Sequence, residues 1–275
     1  MKSRSTSKSS SQKSELWVVK AGSQMVIDGG PMLIRSWMNQ VSELAREKNI
    51  QVIWVTSGAI ASARKRTGKV PKLLREKQAL SAIGQPHLIN HYLVALHENA
   101  ANGAQILLTA EDLRSRTRRS YLQQTLKTLL EWKYLPILNE NDAVATEEIQ
   151  FGDNDRLASL VAVHMKATRL VLLTDVDGLY DRDPKTTSGA QARLIPELKG
   201  VPASLVRKLK SSGSSNSLSF GRGGMLSKIL AAKTVTGSGI HCHLVKGDLP
   251  QALTRIADTA VASPGTHIKP ARRKK

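Results

Sequence analysis

Short continuous apolar runs alternate along the chain with stretches whose apolar residues recur every three or four positions. Leu16-Trp17-Val18-Val19 is such a run, ending at Lys20-Ala21-Gly22-Ser23, the pattern of a buried strand closed by a glycine turn. Residues 52–56, 105–108, 135–138, 170–173 and 240–245 read as further strands. Helical spacing fills the intervals. It predicts helices over 31–48 (Met32, Ile34, Met38, Val41 and Leu44), 116–132 (Leu122, Leu126, Leu129 and Leu130 on one face), 225–236 and 249–256. A long helix is expected over 73–99, broken or kinked at Pro86, and another over 153–165 with Asp153 as its N-cap. Residues 143–151 read as a small hairpin, 181–193 and the Ser/Gly-rich 211–224 as irregular. Apolar strands alternating with amphipathic helices predict an α/β fold, a mostly parallel sheet covered on both faces.

Charge changes this picture less than its size suggests. Among 275 residues, 41 Lys and Arg face 22 Asp and Glu, a formal net charge of +19. Residues 1–14 carry Lys2, Arg4, Lys8 and Lys13 without an acid, beside seven serines, and read as a disordered basic tail. Residues 263–275, with Lys269, Arg272, Arg273, Lys274 and Lys275, read as a second basic tail. A single cysteine, Cys242, excludes an intrachain disulfide and an all-cysteine metal site. There is no apolar stretch of about 20 residues for a membrane span, and no 7–15-residue apolar stretch for a secretory signal. A cytoplasmic setting is expected.

Five polar clusters follow apolar strands or open helices, where open α/β sheets bind ligands. Lys20-Ala21-Gly22-Ser23 offers a lysine and a glycine turn to a phosphate, although an ordinary turn with a solvated lysine reads equally from these residues alone. Ser57-Gly58, after a strand, offers a hydroxyl and N–H groups to an anion, or a plain helix cap. Asn139-Glu140-Asn141-Asp142 and Gly152-Asp153-Asn154-Asp155 form an acid- and amide-rich island in a basic chain, without the histidine that zinc would favour. Thr174-Asp175-Val176-Asp177-Gly178 has its glycine two places early for a calcium loop and fits a nucleotide site after a strand. Gly221-Arg222-Gly223-Gly224-Met225-Leu226-Ser227-Lys228 opens a helix with glycines and a lysine, or is a flexible linker. Two lysines, an organising carboxylate and glycine loops suffice for phosphoryl transfer, which is mostly positioning and charge stabilisation.

The ordered set Lys20-x-Gly-Ser, Thr56-Ser57-Gly58-Ala59, the 139–146 block, Gly152-Asp153-Asn154-Asp155, Thr174-Asp175-x-x-Gly178-Leu179-Tyr180 and Gly223-Gly224-Met225-x-x-Lys228 resembles the amino acid kinase family. The 139–146 and 152–155 blocks resemble its branch that phosphorylates the γ-carboxylate of glutamate. The resemblance implies a three-layer αβα sandwich over 15–262, with a substrate-binding lobe (15–166) and a nucleotide-binding lobe (167–262). It implies ATP-dependent formation of γ-glutamyl phosphate, the first step of proline biosynthesis, with Mg²⁺ carried by the ATP rather than by a protein cage. It further implies that Lys20 and Lys228 neutralise the transferring phosphoryl group and that Asp155 holds them. Ser57, Gly58, Asp142 and Asn154 would contact glutamate. Lys20, Thr174, Asp175, Arg222, Gly223, Gly224, Met225, Leu226, Ser227 and Lys228 would contact the nucleotide. Feedback inhibition by proline and a dimeric or tetrameric state are implied as well, and the chain is expected to be a short form without a C-terminal PUA domain.

Gln24, Gln123, Gln124, Gln150, Arg222 and Leu226 depart from the family's pattern and bear on substrate affinity or identity. Two other functions remain open to the sequence. One is a sister kinase with a different acid or phosphate acceptor. The other is a basic nucleic-acid-binding protein on a degenerate kinase scaffold, for which few aromatic residues are present to stack bases, so that only non-specific binding is expected.

Overall fold

The computed structural model describes residues 14–145, 153–182, 184, 192–212 and 224–271. In chain order they form β1 (Glu15–Ala21), α1 (Ser23–Glu47), β2 (Ile50–Val55), α2 (Ala59–Thr67), α3 (Leu74–His97), β3 (Asn102–Leu108), α4 (Ala110–Arg114), α5 (Arg116–Glu131), β4 (Tyr134–Glu140), α6 (Asn154–His164), β5 (Arg169–Thr174), β6 (Glu197–Lys199), α7 (Ala203–Ser212), α8 (Met225–Gly237), β7 (His241–Lys246), α9 (Ala252–Ala257) and β8 (Thr266–Lys269). Among the described residues the strands make one sheet, ordered β3-β4-β2-β1-β5-β7-β8-β6. Neighbours are parallel except β7 and β8. The chain builds outward from β1 on one side, then returns to add β5 on the other. The switch point, where such sheets bind ligands, therefore lies beside the C-terminal end of β1.

Alternation along β1 decides what faces that point. Trp17, Val19 and Ala21 join a core shared with α1, α3 and α9, in which Trp54 lies tilted between Trp37 and Tyr92 at centroid distances of 5.6 and 5.9 Å. Val18 joins the opposite core, with Leu122 and Leu126 of α5, Leu157 and Val161 of α6, and Ile229 and Val235 of α8. Lys20, two residues on, falls on the Val18 side and so faces α6 and α8.

The expected strands and most of the expected helices lie where the hydrophobic pattern places them, β6 and β8 come in addition, and the differences have physical causes. Helix α1 begins a full turn or more before residue 31. Gly30, at φ 54° and ψ −153°, breaks the helical path, and Pro31 starts the second stretch. Helix α3 runs through Pro86 unbroken. The lost hydrogen bond and clash cost about 3 kcal/mol, but Leu88, Ile89 and Tyr92 are buried just beyond, each contributing roughly 1.5–3 kcal/mol. Helix α2 is rich in basic residues and buries only Ala59 and Ala63. It is held by close approach to α3, where a Cβ on Gly84 would lie 1.8 Å from the Ala59 carbonyl oxygen. The expected C-terminal tail is corrected. Residues 266–269 form β8, with Thr266 and Ile268 fully buried and Lys269 paired to Glu197 at 2.7 Å. Residues 211 and 212, expected to be irregular, end α7. Most of the expected hairpin at 143–151, Gln150, and most of 181–193 and 211–224 lie outside the described residues. The expected lobe boundary at 166/167 falls within the one sheet, because β1 pairs with both β2 and β5. No helix among the described residues is long and apolar enough to cross a membrane.

Candidate active site

Lys20 ends β1, Asp155 sits in the first turn of α6, and Lys228 sits in the first turn of α8. All three are buried, at 3, 0 and 7% exposure. Lys20 Nζ lies 2.5 Å from Asp155 Oδ1, and Lys228 Nζ lies 3.2 Å from Asp155 Oδ2. Ser227 Oγ donates to the same Oδ2 at 2.8 Å. Burial pushes the Asp155 carboxyl up, but the two ammonium groups and the Lys20 and Ser227 hydrogen bonds outweigh it and hold the group below the usual carboxylate range. Asp155 is thus an ionised clamp with both oxygens engaged.

Asp153 caps α6, its Oδ1 accepting from the Asp155 N–H at 2.9 Å. The same oxygen lies 3.9 Å from Lys20 Nζ. Burial first, then the Asp155 charge, raises the Asp153 pKa. Its Oδ2 is buried without a hydrogen-bond partner among the described residues. The sequence shows Asp153 as a cap and as a member of the 152–155 island, without a role of its own in the site.

Beside this cluster a polar network floors the switch point. Asn154 Nδ2 shares its two hydrogens among three acceptors within hydrogen-bond distance, the Thr56 carbonyl (2.7 Å), Ser57 Oγ (2.6 Å) and Asn139 Oδ1 (2.8 Å). Asn139 Nδ2 donates to Gln85 Oε1 at 2.8 Å, and Thr56 Oγ1 donates to the Tyr92 hydroxyl at 2.9 Å. Asn154 Oδ1 is left buried without a partner among the described residues. Two buried acceptors are thus left needing a donor or a cation, Asn154 Oδ1 in this network and Asp153 Oδ2 in the cluster beside it. Gln85 and Tyr92 come from α3, and neither has a sequence signal; a buried glutamine amid helical spacing reads as surface.

The turns close around these groups. A Cβ on Gly22 would stand 3.8 Å from Lys20 Nζ and 4.0 Å from the Leu173 carbonyl oxygen, and one on Gly58 would stand 3.7 Å from Ser23 Cα. Gly58 has φ +107°, which favours glycine. The turns after β1 and β2 and the end of β5 are thus neighbours. Thr174 ends β5 buried, its Oγ1 donating to Asp175 Oδ1 at 3.2 Å, and Gly247 N–H bonds its carbonyl at 2.9 Å. Nothing among the described residues lies within 4 Å of a Cβ on Gly224, the N-cap of α8. The side chains of Met225 and Leu226 pack against the α6/α8 core, so their offer to a ligand there is backbone N–H. Asp142 is half-buried in the turn after β4. Arg222 and Gly223 lie outside the described residues.

Of the departures from the family pattern, Gln24 pairs with Asp28 at 2.7 Å on the surface, and Gln123 donates to the His164 carbonyl at 2.6 Å. Neither joins the polar cluster.

The model of the amino acid kinase family matches residues 15–246. A glutamate 5-kinase of Methylobacillus flagellatus is 43% identical over 258 residues, 92% of this chain and 67% of the relative. One of Polaromonas naphthalenivorans is 43% identical over 87% of this chain and 63% of the relative, and one of Alcanivorax borkumensis is 38% identical over 92% and 66%. The chain thus spans about two thirds of the length of these relatives. Among solved structures, the isopentenyl phosphate kinase of T. acidophilum superposes with a TM-score of 0.58 at 18% identity, covering 92% of this chain and all of that one, a likeness of fold. The chain belongs to the amino acid kinase family.

Proposed function

We propose that the chain has the glutamate 5-kinase activity for which its relatives are named, transferring the γ-phosphoryl group of ATP to the γ-carboxylate of L-glutamate to give γ-glutamyl phosphate, the entry to proline biosynthesis. The observation that carries the reading is the buried Lys20–Asp155–Lys228 clamp at the switch point, in a chain that matches glutamate 5-kinases over 87–92% of its length.

The chemistry asks little of a base. A glutamate carboxylate has a pKa near 4.3 and is already ionised at neutral pH. One of its oxygens forms the bond to phosphorus while the bond to the leaving β–γ bridging oxygen breaks, and no proton moves. What the protein must supply is positive charge and alignment. Lys20 and Lys228 supply the charge. Asp155, ionised and engaged on both oxygens, fixes them and does not itself act as a base. Ser57, Gly58, Asp142 and Asn154 hold the acceptor, and the unpaired Asn154 Oδ1 suits its ammonium group. Thr174, Asp175 and the 222–228 segment receive the nucleotide, with its phosphates at the α8 N-terminus. Mg²⁺ carried on the ATP phosphates would spread their charge. Asp153 Oδ2, a hard oxygen donor, is of the kind it takes. The acceptor side belongs to the 15–166 lobe and the nucleotide side to the 167–262 lobe.

The test is turnover by purified protein with ATP and Mg²⁺ against glutamate, aspartate, N-acetylglutamate and UMP, trapping the acyl phosphate with hydroxylamine. Glutamate alone should yield the hydroxamate. Turnover of another acceptor in its place overturns the assignment.

A further inference from the structure

We propose that Thr266, the first residue of β8, is a positioning residue for the nucleotide loop 174–180. The inference rests on the reading of that loop as the nucleotide side of the site. Thr266 is fully buried. Its Oγ1 accepts from the Leu179 N–H at 2.8 Å and donates to the Ile195 carbonyl at 2.6 Å. A hydroxyl is suited to this place because one atom both donates and accepts. Leu179 and Ile195 also bond directly, Ile195 N–H to the Leu179 carbonyl at 2.8 Å, so Thr266 Oγ1 closes a small ring joining the loop, the 194–195 segment and β8.

The backbones leave no room for anything else between them. A Cβ on Gly178 would lie 2.6 Å from Thr266 Oγ1 and 3.0 Å from Thr266 N. Gly265 has φ +72°, and a Cβ there would lie 2.1 Å from the Leu244 carbonyl oxygen and 2.8 Å from that of Asp177. Glycines therefore stand where the loop meets β8 on both sides. Strand β8 is itself anchored, antiparallel to β7 through Leu244↔Thr266 and by the His267 N–H to the Pro196 carbonyl at 2.8 Å. The far end of the loop is fixed by the Gly247 N–H on the Thr174 carbonyl. Thr174 and Asp175 are thus held between β5 behind them and Thr266 ahead, by a residue in the stretch that the sequence presents as a tail.

Thr266→Val keeps the shape and removes both hydrogen bonds, leaving the Leu179 N–H and Ile195 carbonyl unpaired. It should weaken ADP binding, read by titration calorimetry, roughly tenfold, and raise the ATP KM in parallel while the glutamate KM stays within about twofold. Thr266→Ser keeps the hydroxyl and should restore nucleotide affinity. Thr266→Ala, whose space admits a bridging water, should show the same split more weakly and serves if the valine variant does not fold. If the unaltered chain binds ADP and the valine or alanine variants bind it equally well, or if the KM values for ATP and glutamate rise together, the positioning role is overturned. If the unaltered chain binds no nucleotide, the loop's assignment falls with it. Nucleotide binding with turnover of a different acceptor would sink the glutamate reading while leaving the Thr266 role standing.

Discussion

Asp155 meets Lys20 at 2.5 Å in a setting where the side chains are 0 and 4% exposed. An ion pair so removed from water is strongly coupled, and removing one partner leaves a buried charge uncompensated.

Asp155→Asn should therefore lower stability by about 3–5 kcal/mol, read from the urea midpoint, and abolish measurable turnover. Lys20→Ala and Lys228→Ala should lower kcat by roughly 10²–10³-fold while changing glutamate affinity only a few-fold. A rise in glutamate KM with kcat preserved would show that the lysines bind the acceptor instead.

Asp142→Ala should act the other way, raising the glutamate KM at least tenfold with a smaller effect on kcat. Gln85→Leu should do the same more mildly. It leaves Asn139 Nδ2 without its acceptor and loosens the Asn139–Asn154 bond through which the floor is held. An unchanged glutamate KM in the Gln85 variant would separate α3 from the acceptor pocket.

Asp153 has a pKa raised by burial and by Asp155. A raised carboxyl favours the folded state below its ordinary pKa, and that contribution is lost as pH rises through the folded value. Ionised Asp153 thus costs stability at neutral pH. Asp153→Asn, which keeps an N-cap, should raise Tm at pH 7–8, and the advantage should vanish below about pH 3.8. A lower Tm at pH 7 would contradict the raised value.

Three histidines cluster at the opposite end of the sheet. His241 Nδ1 lies 2.9 Å from His267 Nε2, the His243 and His267 rings are 4.2 Å apart, and Arg169 Nη1 lies 3.3 Å from His243 Nε2. Burial, then the neighbouring His241, Arg169 and Lys269, with Glu197 opposing, lower the His267 pKa to about 4. A depressed histidine stabilises the fold above its ordinary pKa of 6.5, and that stability is lost as pH falls toward 4. His267→Gln should remove part of the acid loss between pH 6.5 and 4, on the order of 1–2 kcal/mol once its half exposure is discounted. Identical urea midpoints across that range would refute the coupling.

The parts of this molecule legible in the sequence are those that bury on both faces. Trp17-Val18-Val19 announces a central strand, whereas Lys20 at its end reads equally as a solvated turn lysine until the fold buries it against Asp155. The island at 139–155 is legible because carboxylates and amides stand out in a basic chain. Helix α2 is hidden because its hold on α3 is backbone against Gly84 rather than an apolar stripe. Strand β8 is hidden because Thr-His-Ile-Lys offers one strongly apolar position in four, and its burial depends on β7 and β6 lying alongside. Gln85 and Tyr92 become part of the site only when α3 lies across the ends of β2 and β4.

The clamp also sets when the molecule can work. Asp155 and Lys228 are 73 residues apart in the chain, and Lys20 comes from near the start, so the centre assembles only after the crossover into α8 is docked. Local turns form in microseconds, whereas contacts of such long range wait for loop closure. On the proposed activity, turnover would therefore return during refolding only once α8 has docked against α6 and β1, later than the local turns.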